Sequence, residues 1–228
     1  MTPTYHPTEE ALLEYAGGAS AESAALVYAC HASLCAPCAR RLTELEAVGG
    51  ALLEGGAEEP VAADALARAL ASLDAPTAHG AHGGARDDEA PAAPEFLAPY
   101  HLPRPLARVL AALPRAPRWQ RALPGVRTID LAAAEREDET RVRLVAFKPG
   151  VTIPPHDHGG TEHVLVFTGA IEEPGRRFGR GDLATRERGE RHEQRIAAGE
   201  LCVALVVNEG PLVPLTLRGR LLLALARG

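Results

Sequence analysis

Residues 150–169 read Gly150-Val-Thr-Ile-Pro-Pro-His156-Asp157-His158-Gly-Gly-Thr-Glu162-His-Val-Leu-Val-Phe-Thr-Gly169, a G-x5-H-x-H-x3-E-x6-G pattern. Side chains on a strand alternate with period two, so His156 and His158 point to the same side. The Gly159-Gly160 pair turns the chain, and Glu162 then faces the same interior from the returning strand. A second stretch, Gly181-Asp-Leu-Ala-Thr-Arg-Glu-Arg-Gly189-Glu-Arg-His192, offers a third imidazole from a separate hairpin. Three imidazoles and one carboxylate suit zinc, iron, manganese, nickel or copper, and ligand type alone does not choose among them.

The surrounding sequence fits an all-β unit. In 140–147, Val142, Leu144 and Ala146 alternate with Arg141, Arg143 and Val145. His163 to Phe167, Leu201 to Val207 and Leu221 to Leu225 are denser apolar runs, expected to be strands. They are short and separated by Gly, Pro and charged turns, as in a β-sandwich or barrel with a buried inside. A short helix carrying Leu106, Val109, Leu110 and Leu113 precedes them. Cys202, within an apolar run, reads as a core thiol. The arginines of 176–195 alternate with acids such as Asp182, Glu187, Glu190 and Glu193, the pattern of a solvated rim.

The first third has a different period. Thr8 is a helix cap, Glu9 and Glu10 suit the helix dipole, and Gly17-Gly18 ends that helix. Ser20 is expected to cap a second helix through Leu26, Val27 and Cys30. A third, from about Pro37 to Leu53, has the stripe Leu42, Leu45, Val48 and Leu52 at helical spacing. A fourth follows Pro60, with Leu66, Leu70 and Leu73 on one side. Between the second and third lies His31-Ala-Ser-Leu-Cys35-Ala-Pro-Cys38, or H-x3-C-x2-C. His31 and Cys35 share a helix face, and Cys38 lies one short turn beyond. Two thiolates and an imidazole favour zinc over magnesium or calcium, and a structural zinc needs a fourth ligand. His6 and Cys30 compete for that place; Cys30 points about 100° away from His31 on a helix, which favours a core thiol.

At 228 residues, one or two domains are expected. From about 75 to 94 the composition turns to Gly, Pro and charge, a linker in which His79 and His82 read as solvated. The resulting division is a helical domain over 1–75, a flexible linker over 76–100 and a β domain over 101–228. The net charge of −6 argues against a mainly electrostatic nucleic-acid binder. Three of the four cysteines lie within nine residues, unlike a secreted disulfide framework. No signal-peptide pattern and no membrane-length apolar run is visible, so the expectation is a soluble cytoplasmic protein.

At these residues the sequence resembles known families. The paired motifs are similar to those of the cupin superfamily, a double-stranded β-helix or jelly-roll barrel. The first motif matches throughout, and the second keeps Gly181, Gly189 and His192 but has Glu187 where cupins usually have Pro. The N-terminal part resembles the zinc-binding anti-sigma domain. On that resemblance His6, His31, Cys35 and Cys38 form the N-terminal zinc set, and His156, His158, Glu162 and His192 the cupin metal set. The helix after Cys38 resembles the one that follows in that domain. The combined architecture resembles the ChrR-type anti-sigma factors. The resemblance implies an α + β two-domain protein: a small zinc-stabilised helical bundle and a C-terminal cupin. It implies a structural zinc, and a second divalent metal in the cupin with zinc as the first expectation. The partner implied is a sigma factor of the extracytoplasmic-function (ECF) group, with no direct nucleic-acid or membrane contact. Sigma would be released on an oxidative signal, singlet oxygen or organic peroxide, sensed through the cupin. No catalytic residue is assigned. The alternative reading is a metal-dependent cupin enzyme, oxygenase- or isomerase-like, with a regulatory N-terminal zinc domain.

Overall fold

The computed structural model describes residues 2–57, 60–74, 94–132, 140–217 and 219–221. An extended segment leads into α1 (Glu9–Ala16), α2 (Glu22–Ala32), α3 (Ala36–Glu54) and α4 (Ala65–Asp74). Thr8 caps α1 by accepting from the Ala11 N–H, and Gly17 ends it. Pro37 falls in the first turn of α3, where its missing N–H costs nothing. Ser20 does not cap α2: Ala21 holds that position, no side chain bonds the helix start, and the buried Ser20 hydroxyl has no partner. The two ends of α3 differ. Leu42 is buried, whereas Val48 and Leu52 are exposed, as are Leu66, Leu70 and Leu73 of α4.

The expected linker lies outside the described residues up to residue 93. Its last part is ordered: Glu95–Tyr100 form a 3-10 helix whose Leu97 is wholly buried. Burying Leu97 outweighs the breaking tendency of the neighbouring prolines. Helix α5 (Arg104–Ala112) adds Leu106 and Leu110 to the same core. His79 and His82 lie outside the described residues.

Eleven strands follow among the described residues: β1 (Gln120–Leu123), β2 (Val126–Ala132), β3 (Thr140–Phe147), β4 (Thr152–His158), β5 (Glu162–Thr168), β6 (Ile171–Glu173), β7 (Arg176–Phe178), β8 (Leu183–Arg186), β9 (His192–Ile196), β10 (Cys202–Glu209) and β11 (Leu212–Pro214). They make a six-stranded sheet, β1-β2-β3-β10-β5-β8, and a five-stranded sheet, β11-β4-β9-β6-β7. All pairs are antiparallel. The apolar run expected to end the sheet is different: residues 217 and 219–221 are helical, and 222–225 lie outside the described residues.

The larger sheet is buried on both faces, which is why β5 and β10 read as continuous apolar runs. Its inner face (Val145, Val164, Val166, Cys202, Ala204, Val206) meets Ile171, Phe178 and Ile196 across the sandwich. Its outer face (Leu144, Leu165, Phe167, Val203, Leu205) packs on Val27, Tyr28 and Cys30 of α2 and on Leu97, Leu106 and Leu110. Helix α2 is therefore apolar nearly all round because it is sandwiched. One side lies on the sheet, and the other faces a small cluster of Leu12, Cys35, Cys38 and Leu42.

Candidate metal centres

The cupin-side residues converge between the two sheets. His156 and His192 are direct cross-strand partners on β4 and β9. His158 ends β4, and Glu162 starts β5 in the opposite sheet. The connecting hairpin depends on glycine: a Cβ on Gly160 would sit 1.5 Å from the Glu209 carbonyl oxygen. One ligand atom from each of the four residues falls within 4.8 Å of the others.

The protonation pattern follows from the partners. His156 Nδ1 lies 2.9 Å from the Pro154 carbonyl, which can only accept, so Nδ1 carries the proton. His192 Nδ1 likewise donates to Glu173 Oε1 at 2.8 Å. Both Nε2 atoms are then bare lone pairs, and they lie 3.0 Å apart, as do those of His158 and His192. Burial lowers the His156 and His158 pKa values, against the upward pull of Glu162, so protons are poorly held there. Glu162 Oε2 is buried with no hydrogen-bond partner, and it lies 3.5 Å from His192 Nε2. Converging lone pairs and an orphaned carboxylate oxygen are unfavourable without a cation, so these residues fit a divalent metal.

A surrounding layer holds these ligands. Arg143 Nη2 donates to Asn208 Oδ1 at 2.9 Å. A guanidinium cannot accept, so the Asn208 amide must turn its NH2 to Glu162 Oε1, 2.7 Å away. This leaves Glu162 Oε2 aimed inward. Burial raises the Glu173 pKa, but the hydrogen bond from His192 and the Arg186 guanidinium win, and it is held at about 2. Arg186 is therefore not on a solvated rim: its side chain is only 11% exposed and lies against Glu173. In the second motif, Glu187 donates its N–H to Glu190 Oε2 at 2.7 Å, closing the turn with a bond proline could not make.

The N-terminal group is built from the extended segment, the end of α2 and the start of α3. His31 Nδ1 donates to the Gly181 carbonyl at 2.8 Å, so Nε2 is the free lone pair. It lies 3.3 Å from Cys38 Sγ and 3.4 Å from His6 Nδ1. His6 Nδ1 is 3.3 Å from Cys35 Sγ, and the four ligand atoms again fall within 4.8 Å. Without an ion, burial and then Cys35 push the Cys38 thiol up to about 12. A divalent cation removes that conflict, since thiolates are its natural ligands. Cys30 is in the core, its thiol pushed up to about 12 by burial, and is not part of the group. Cys202 is likewise a core thiol at about 12.

His163, next to Glu162, points to the opposite face. Its Nδ1 lies 3.1 Å from Thr185 Oγ1, and its ring meets Tyr28 of α2 edge to face. Sequence reasoning missed Glu173, Asn208 and Arg143. Nothing local marks them, because their partners arrive from distant strands.

A two-sheet β-sandwich that gathers three histidines and a glutamate, fronted by helices that gather two histidines and two cysteines, is a chain with two candidate metal centres. Residues 109–213 match the family model described as the ChrR cupin-like domain. Over 212 residues the chain is 32% identical to the anti-sigma-E factor ChrR of Cereibacter sphaeroides, covering 93% of this chain and 92% of that protein. It is also similar to the crystal structure of Rhodobacter sphaeroides SigE in complex with the anti-sigma ChrR. There the TM-score is 0.70 at 30% identity, covering 91% of this chain and 99% of that one. The chain belongs to the ChrR family of anti-sigma factors, regulators rather than enzymes. Among the described residues no helix is long and apolar enough to cross a membrane.

Proposed function

We propose that this chain is a zinc-dependent, cytoplasmic anti-sigma factor that holds a sigma factor of the ECF group and releases it on an oxidative signal. The carrying observation is the likeness, over 91% of the chain, to a ChrR solved in complex with SigE. Residues 1–75 are the gripping part, with zinc on His6, His31, Cys35 and Cys38. The distal half of α3 and all of α4 offer the surface. Leu66, Leu70 and Leu73 lie on one face of α4 at helical spacing and are 72%, 55% and 78% exposed. A row of exposed leucines along one face of a helix supports docking by a partner.

Residues 101–228 are the sensor, with a second divalent ion on His156, His158, Glu162 and His192. Singlet oxygen or an organic peroxide oxidises a ligand or displaces the ion there, and the sheet then loosens against α2. The test is co-expression with an ECF sigma factor. Co-purification and blocked transcription are expected, both lost in Cys35→Ser/Cys38→Ser and in Leu66→Asp/Leu70→Asp. Exposure to a singlet-oxygen generator should release sigma from the native complex. An undiminished complex in the leucine variant would overturn the docking surface.

A further inference from the structure

The two centres are not independent. His6 stands on a segment with no secondary structure of its own, and what holds that segment is the cupin. Asp182 Oδ1 accepts from the backbone N–H of Thr4 at 2.6 Å and of Tyr5 at 3.0 Å. Its Oδ2 accepts from the Gly179 N–H at 2.7 Å, which fixes the carboxylate. The Tyr5 carbonyl accepts from the Leu183 N–H at 3.1 Å, extending the free edge of β8. The Tyr5 ring sits 4.5 Å from that of Phe178. Buried Pro3 fills the space at Gly181, where a Cβ would come within 2.7 Å of it and φ is +85°. The Gly181 carbonyl in turn takes the His31 Nδ1 proton.

From this we infer that residues 179–183 of the cupin position both imidazoles of the N-terminal centre. Asp182 acts through the strap that carries His6, and the Gly181 carbonyl acts on His31 directly. The helices place the two thiolates and the backbone of His31, while the His31 ring tautomer and the position of His6 depend on the cupin. The inference rests on the metal reading given above. It also ties the centres together: β8 starts at the strap and ends at Arg186, which holds Glu173 and, through it, His192. Asp182 and Gly181 are positioning groups, and partners at that remove typically govern metal affinity by about 10–100-fold.

The test uses the full chain loaded with cobalt(II). Only Cys35 and Cys38 among the proposed ligands are thiolates, so thiolate-to-cobalt absorption reports the N-terminal centre alone. Thr4→Pro removes one backbone donor from an exposed residue; Asp182→Asn removes the charge that accepts it. Both should lose the thiolate band at about 10–100-fold lower concentration of a competing chelator than the wild type, while the cupin ion and the thermal transition are retained. If Asp182→Asn unfolds the β7–β8 turn, Thr4→Pro decides. Folded, metallated variants that hold cobalt against the chelator as tightly as the wild type would overturn the inference. A wild-type chain that never develops the band would overturn the metal reading beneath it, and the inference with it.

Discussion

Replacing Glu173 by Gln keeps the shape of the side chain and removes its charge. In the native protein this carboxylate is nearly fully buried and takes hydrogen bonds from His192 Nδ1, Arg186 and, at 3.3 Å, Gln194. Its pKa is held at about 2 against an ordinary 4.5. At about 1.4 kcal/mol per tenfold change, that difference corresponds to roughly 3 kcal/mol of stability at neutral pH. The sign follows from a depressed acid: the contribution is complete above about pH 4.5 and lost as pH falls toward 2. The amide removes it at every pH and also turns a donor toward His192 or Arg186. The His192 proton then has no reason to stay on Nδ1, and the lone pair needed at Nε2 is no longer guaranteed. Cupin metal affinity should fall about 10–100-fold. The assays are ion retention against graded chelator in the full chain, and denaturant unfolding of the chelated protein from pH 7 to 2. The variant should be less stable at pH 7 and show a flattened acid limb between about 4.5 and 2. Wild-type ion retention with an unchanged acid limb would refute the role given to Glu173.

Leu97→Ala should destabilise the protein by about 2–5 kcal/mol in denaturant unfolding, as for a wholly buried leucine rather than a linker residue. Gly160→Ala drives a methyl group into the Glu209 carbonyl, and the shift needed to relieve it should separate Glu162 from the histidines. The expected readout is loss of the cupin ion, with a stability cost at or above about 1–3 kcal/mol. Alkylation at pH 8 should leave Cys30 and Cys202 unmodified in the folded chain, since both are packed inside the two large cores, while Cys35 and Cys38, whose small cluster loosens once its ion is removed, become labelled only after chelation. Peptide mapping reads each thiol separately.

Part of each candidate set was legible in the residues because its geometry is local, whereas His6 and His192 come from elsewhere in the chain. A strand period of two puts His156 and His158 on one side, and a helical turn brings His31 over Cys35. The Gly159-Gly160 turn returning Glu162 is also local, and so is the cap at Thr8. The sandwich announced itself through short apolar runs divided by turns. What no local pattern could say is which groups stand behind the ligands. Asn208 reaches Glu162 only through the register of β10 on β5, and Glu173 reaches His192 only through β6 on β9. Asp182 meets Tyr5 across 177 positions of chain. The same gap explains why Arg186 read as a surface charge and residues 95–100 as linker. An arginine beside acids, or a leucine between prolines, is given its environment by packing. Periodicity tells a side chain which way to point; only the docking of distant segments determines what it finds there, and in this protein that docking brings the cupin edge against the helical domain's candidate metal centre.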